Sequence, residues 1–210
     1  MARRTSVYDA GDGSRYSAVH ARHHPWFHQI QQTREYYDIF LFNAEGDLIY
    51  TVFKELDYAT NFSSGEWAET DLGQVFRDAV AQPREGFQTF QDFEPYAPSN
   101  DAPASFIATP VLDADGQLLG VVAFQMPIGR INRLMGNRAG MGETGEAYLV
   151  GPDFLMRSDS RFSEKSTILV RKVEGPTVRA ALKGGAGIEI IDDYRGVPVI
   201  SAYKPFDFMA

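Results

Sequence analysis

The chain has 210 residues, with 20 Lys and Arg against 28 Asp and Glu, a formal net charge of −8. That balance argues against a nucleic-acid binder, because no large basic surface is at hand to replace phosphate counterions. A 44% hydrophobic content is enough for a buried core and argues against general disorder. The absence of cysteine excludes disulfides, thiol catalysis and Cys-based zinc sites.

Residues 1–35 are polar, with a basic start at Arg3 and Arg4 and a Gly11-Asp12-Gly13 turn, and read as a helical lead-in. Pro25 is expected to break or restart the helix at His24. All the histidines, His20, His23, His24 and His28, fall here. His20/His24 and His24/His28 have the i, i+4 spacing of a helical metal clamp. The expected break, and the lack of a His-Glu-x-x-His motif, favour a solvated helix face and no metal.

Two β-prone runs follow, 37–42 and 48–53, separated by the turn chemistry of 43–47; they predict a hairpin. Both runs are apolar on both faces, so the sheet should be covered on both sides. Leu72, Val75, Phe76 and Ala79 at helical spacing predict a helix over 71–81. Strands are expected at 87–93, 104–112 and 118–126, with a Pro-rich loop at 95–103 and a turn at 113–116. Consecutive hairpins of this kind give an antiparallel sheet. The longest near-apolar run, 118–124, is far short of the ~20 residues of a membrane helix, so the piece is expected to be soluble as given.

A connector helix is predicted over 127–138, with Ile128, Ile131, Leu134 and Met135 as its stripe. The remainder reads as a weaker copy of the first unit: a hairpin at 147–156, a helix at 177–184, and strands at 187–194 and 197–203. The first unit has one more strand at this point, so the second is expected to lack its last one. The fold class is α+β: two tandem units with antiparallel sheets behind a helical lead-in. The segments are 1–35 (lead-in), 36–127 (first unit), 128–140 (connector) and 141–210 (second unit, incomplete).

The ordered strings Tyr36-Tyr37-Asp38-Ile39-Phe40-Leu41, Tyr50-Thr51-Val52-Phe53-Lys54-Glu55 and Pro103-Ala104-Ser105-Phe106-Ile107-Ala108 carry a family resemblance. So do Gly120-Val121-Val122-Ala123-Phe124-Gln125-Met126, Gly142-Glu143-Thr144-Gly145-Glu146-Ala147-Tyr148 and Met156-Arg157-Ser158-Asp159-Ser160-Arg161. Together they resemble the double Cache, PAS-like extracytoplasmic sensor domain of bacterial methyl-accepting chemotaxis proteins. The resemblance implies a periplasmic small-molecule sensor, homodimeric in the full receptor and joined to the inner membrane through segments outside this piece. Its alternatives are the sensor domain of a histidine kinase or nucleotide cyclase, or a non-sensing dimerisation and spacer module. The Arg-Trp-Tyr cluster that marks amino-acid-binding members is not found. No nucleic acid and no cofactor are implied.

A PAS-like pocket lies between the sheet and the segment after the second strand, and needs aromatic walls with a few fixed polar groups. On the second strand Tyr50, Val52 and Lys54 share a face by the period-two rule. Asp57 and Tyr58 lie in the following segment, and Asp92, Tyr96, Phe106 and Gln125 come from later strands and their loop. In this reading Lys54 or Tyr58 anchors an anionic or polar head, with Tyr50, Phe106 and Tyr96 as walls; the bland reading pairs Lys54 with Asp57 at the surface. In the second unit Tyr148, Arg157, Asp159, Arg161 and Tyr203 are candidates. Arg157 suits a bidentate carboxylate clamp, or a structural network with Asp159 or Asp193, which is favoured. Catalytic motifs (Gly-x-Ser-x-Gly, P-loop, Gly-x-Gly-x-x-Gly) are missing, so no enzyme is expected.

Overall fold

A computed structural model describes residues 7–207; Arg3 and Arg4 lie outside the described residues. The chain divides into two compact units, one ending at Pro127 and the other beginning at Ile128. Among the described residues no helix is long and apolar enough to cross a membrane.

The first unit runs α1 (Arg15–Arg34), β1 (Ile39–Asn43), β2 (Leu48–Thr51), α2 (Asp71–Ala81), β3 (Thr89–Tyr96), β4 (Ala102–Leu112) and β5 (Leu118–Gln125). The strands form one antiparallel sheet in the order β2-β1-β5-β4-β3. Its two faces are covered differently. Phe40, Phe42, Phe106, Ala108, Val121 and Ala123 pack with Leu72, Val75, Phe76 and Ala79 of α2 and with Phe62. On the other face Ile39, Tyr50 and Val52 pack with Phe27 and Ile30 of α1.

Helix α1 starts at Ser14, whose hydroxyl accepts from the Ser17 N–H at 3.0 Å, and ends at Glu35 in the left-handed region. It is continuous through Pro25, so the expected break at His24 is corrected. Proline there removes one helical hydrogen bond at a cost of about 3 kcal/mol. Burial of His24 and packing of Phe27 and Ile30 on the sheet offset that cost.

Two further local expectations change. The loop read at 95–103 is shorter, 97–101: β3 runs through Pro95 to Tyr96, and β4 starts at Ala102. Pro95 stands opposite Pro103 on the edge strand, where a missing N–H is tolerated. The chain reverses through a short 3-10 turn, Ala97–Ser99, followed by Asn100 and Asp101 at φ 56°. At the first hairpin, Gly46 has φ 96°, and a Cβ there would collide with the Ser63 backbone.

The second unit contains α3 (Ile128–Met135), α4 (Pro176–Leu182), β6 (Gly187–Asp192) and β7 (Pro198–Tyr203). β6 and β7 make a two-stranded antiparallel sheet. The hairpin predicted at 147–156 is not a ladder but a set of isolated bridges, Val150 to Met156, Leu155 to Lys172 and Met156 to Ile168. The reason is local: the Leu149 N–H goes to the Ser158 hydroxyl at 3.0 Å, and Phe154 at φ 68° breaks the extended run. Met156 is then shared with the 168–173 segment.

Packing in the first unit sets a prediction. Phe62 is fully buried against Phe42, with ring centroids 5.1 Å apart, whereas Ile190 on β6 is 80% exposed. Phe62→Ala is expected to lower unfolding free energy by about 3–5 kcal/mol, and Ile190→Ala to change it by no more than about 0.5 kcal/mol. Urea denaturation followed by circular dichroism checks both.

Candidate functional site

The strand β1 run carries one acid among apolar residues. Asp38, immediately before β1, is 1% exposed. Its Oδ1 accepts the N–H of Ile39 at 2.7 Å and of Val52 at 2.8 Å, and its Oδ2 accepts the Thr51 hydroxyl at 2.8 Å. Thr51 Oγ1 in turn accepts the Lys54 N–H at 2.7 Å. These bonds end β2 and turn the chain through Lys54, at φ 53°. The segment then doubles back along the β2 edge, with Leu48 N–H donating to the Thr60 carbonyl at 2.9 Å and Ala59 N–H to the Leu48 carbonyl at 3.2 Å.

This course drops Asp57 into the interior, 1% exposed, where its Oδ2 accepts the Tyr96 hydroxyl at 2.7 Å. Tyr96 meets Phe106 edge to face at 5.0 Å, Phe106 is registered with Gln125 across β4 and β5, and Gln125 N–H donates to the Asp38 carbonyl at 3.0 Å. Asp57, Tyr96, Phe106, Gln125 and Asp38 thus form a continuous buried cluster. Two of its acceptor atoms, Asp57 Oδ1 and Gln125 Oε1, have no hydrogen-bond partner. Beside it, Glu55 accepts the Ser99 hydroxyl at 2.6 Å and the Tyr37 hydroxyl at 3.0 Å.

Desolvation governs the charges here. Burial raises the Asp38 carboxyl to about 7, against the pull of its Thr51, Ile39 and Val52 donors, and nearby Asp57 raises it further. Burial likewise raises Asp57 to about 6, while the Tyr96 hydrogen bond opposes it. Tyr96 is held far above the ordinary phenol value, first by burial and then by Asp57.

The expected site residues therefore separate. Asp57, Tyr96, Phe106 and Gln125 come together in this cluster. Tyr50 and Val52 face α1 instead, so the grouping of Tyr50 with Phe106 and Tyr96 is corrected. The Tyr50 hydroxyl lies 2.7 Å from His24 Nδ1. Lys54 also turns to that side: its Nζ sits 5.3 Å from the Tyr50 ring centroid and donates to the Thr51 carbonyl at 3.1 Å. Burial lowers its ammonium to about 8, with Asp38 opposing. The Tyr58 hydroxyl donates to that of Tyr16 at 2.8 Å on the surface. Asp92, on the edge strand β3, faces the start of α2, where with Glu94 it adds to the burial that raises Asp71. Asp38 was not among the expected site residues, although an acid within an apolar, doubly covered strand run was its visible signal.

With α1 unbroken, the histidines do stack, His20 on His24 at 4.5 Å and His24 on His28 at 5.7 Å. The ring of His20 instead meets the Tyr8 carbonyl through Nδ1 at 2.8 Å, and that of His24 meets Tyr50. The described residues hold no group of three or more His, Asp or Glu able to hold a metal ion.

In the second unit Arg157 is clamped to Asp153 at 3.0 Å and donates to the Leu155 carbonyl at 3.0 Å. Asp153 is thus a carboxylate that holds it. Its guanidinium lies so close over Gly151 that a Cβ there would strike it. Asp159 accepts from Asn132, Ser166 and Thr167. Arg161 donates to the carbonyls of Gly142, Glu143 and Gly145. The Tyr203 hydroxyl donates to Glu189 at 2.6 Å. Tyr148 meets Tyr194 edge to face at 5.7 Å, beside an open cleft of about 220 Å³ lined by Ser160, Phe162, Thr167, Arg171, Tyr194 and Arg195.

The state of Asp38 is testable. With its folded value near 7 and an unfolded value near 4, the native state binds the extra proton across that window, so its contribution falls as pH rises from 4 to 7. Asp38→Asn lacks this titration. The unfolding free energy of the unmodified protein minus that of Asp38→Asn, from urea curves at several pH values, is expected to decline across the window; a flat or rising difference contradicts the account.

The Cache domain family matches residues 15–209. No curated protein matches the sequence. Among solved structures, the periplasmic sensory domain of the Campylobacter jejuni chemoreceptor Tlp1 aligns at 13% identity and a TM-score of 0.58, over 99% of this chain and 80% of that one. The ligand-binding domain of the Pseudomonas aeruginosa PAO1 amino acid chemoreceptor PctC, in complex with GABA, aligns at 17% identity and 0.51, over 94% and 77%. The sensor domain of the V. cholerae histidine kinase DctB aligns at 16% identity and 0.41 over 65% of this chain, which spans 50% of that domain's length. An amino-terminal helix laid on a five-stranded antiparallel sheet, and a family match over nearly the whole chain, place it: the chain belongs to the Cache domain family.

Proposed function

We propose that this chain is the extracytoplasmic, non-catalytic sensing part of a bacterial membrane chemoreceptor. In this reading a small molecule binds in the first unit, beneath the 54–60 segment. The chemoreceptor reading, in preference to a kinase or cyclase, rests on the ordered sequence strings and on the fold shared with the Tlp1 and PctC domains.

The observation that carries the site is the pair of unpartnered acceptors, Asp57 Oδ1 and Gln125 Oε1, in a buried cluster whose other charged groups are acids, which this reading takes as the wall of a guest chamber. A buried polar atom without a partner costs about 1–3 kcal/mol. Acceptors that lack donors, among carboxyls raised by burial, call for a guest that brings N–H groups. A primary or secondary amine does so, and its positive charge also favours the ionised form of Asp57 and Asp38. Lys54 and Tyr58, facing α1, leave the anionic head expected from sequence without an anchor here.

The chamber side chains are almost fully buried, so entry requires the segment above them to move. A ligand that binds one arrangement of that segment better than the other shifts the population between them. It can shift it only by the ratio of the two affinities.

A thermal-shift panel of small amines, amino acids and carboxylic acids tests the reading. Amine-bearing compounds are expected to raise the melting temperature, and Asp57→Asn to weaken that response at least tenfold in apparent affinity. If no amine raises the melting temperature, or only acids without an amine do, the reading fails.

A further inference from the structure

We propose that the open cleft of the second unit is a separate binding site for a small organic carboxylate. The chemistry of its lining differs from that of the first-unit chamber. Arg171 projects at the surface with its guanidinium 5.8 Å from the Tyr194 ring centroid, and no carboxylate pairs with it among the described residues. Arg195 lies 3.9 Å from the Phe162 ring centroid and 5.8 Å from that of Tyr194. The cleft therefore sets two guanidinium groups against two aromatic rings.

Two acids stand close by, and both are already satisfied. Asp193 accepts Arg195 Nε at 2.8 Å and Nη2 at 2.7 Å through Oδ2, and the N–H groups of Arg195 and Val197 through Oδ1. Glu146 accepts the hydroxyls of Tyr194 and Ser160 at 2.5 and 2.9 Å and does not line the cleft. Asp193 offsets Arg195, but the charge of Arg171 has no such counterpart. The floor is built: Ser160 and Thr167 are 5% and 4% exposed, and the Ser160 N–H donates to Thr167 Oγ1 at 2.8 Å.

An arginine fork matches a planar carboxylate with two parallel hydrogen bonds, which is the reason for naming that class. Phe162 and Tyr194 offer apolar walls to a short carbon tail. A volume of about 220 Å³ is below the range of ~300–1,000 Å³ that holds drug-sized ligands, so the guest has only a few carbons. Arg157, the arginine singled out by sequence, is engaged by Asp153; the fork offered to solvent is that of Arg171.

Calorimetric titration of the full chain with propionate, propionamide and inorganic phosphate tests this. Propionate is expected to bind in the millimolar range, with propionamide at least tenfold weaker. Arg171→Met should weaken propionate at least tenfold, and Arg171→Lys should fall between. Asp57→Asn, in the other unit, should leave propionate binding unchanged, which separates this site from the amine chamber. Equal binding of propionate and propionamide, undiminished binding by Arg171→Met, loss in Asp57→Asn, or phosphate binding without propionate binding would each overturn the proposal.

Discussion

The Asp38 carboxyl organises the first unit. One side chain accepts three short hydrogen bonds, from the Ile39 and Val52 backbone and the Thr51 hydroxyl. It thereby fixes where β2 stops and where the covering segment begins. That anchor acts with the Thr51 hydroxyl, which holds the Lys54 N–H at the left-handed turn, and with Tyr96, which holds Asp57 inward. Burial raises the acid to about 7, so it is partly protonated at neutral pH, and its three donors offset part of the remaining desolvation cost. The same low-dielectric surroundings raise Asp57 and hold Tyr96 in its neutral form.

Such an arrangement suits a segment that must both close and open. Its ends are tied at Asp38 and at Leu48 and Gly46, Glu55 ties it to Tyr37 and Ser99, and its middle contributes Asp57 to an incompletely satisfied interior. The Tyr96 bond is the central tie between segment and sheet. A guest that competes for Asp57 acts on that tie directly. The two units also differ in electrostatic kind: the first buries acids away from water, and the second presents arginines to it. A sensor with both would read an amine and an acid at separate places.

Much of the first unit was legible in the sequence. Turn chemistry at 43–47 and 113–116 located both hairpins, and the apolar spacing of α2 located the helix that covers one face. What failed depended on contacts distant in the chain. Pro25 does not interrupt α1, because His24, Phe27 and Ile30 are held by Tyr50 on β2 and by Val52 just after it, some 25 residues on. Pro95 is tolerated in β3 because that strand is an edge, which only the sheet order reveals. The 147–156 hairpin is the local exception: it dissolves into bridges because the Ser158 hydroxyl takes a ladder position nine residues on. At the site, alternation correctly put Tyr50 with Val52 but could not say that α1 roofs that face. The Arg171 cleft has no local motif at all, since its lining is drawn from 160–171 and 194–195.

The central claim is that the 51–62 segment is a gate held by Asp38 above a guest chamber. Amide hydrogen exchange, with and without an amine that raises the melting temperature, measures it most directly. The account predicts faster exchange over 51–62 than over α2 or the central strands, and slowing confined to that segment when the amine binds. Protection over 51–62 equal to that of α2, unchanged by the amine, would contradict it.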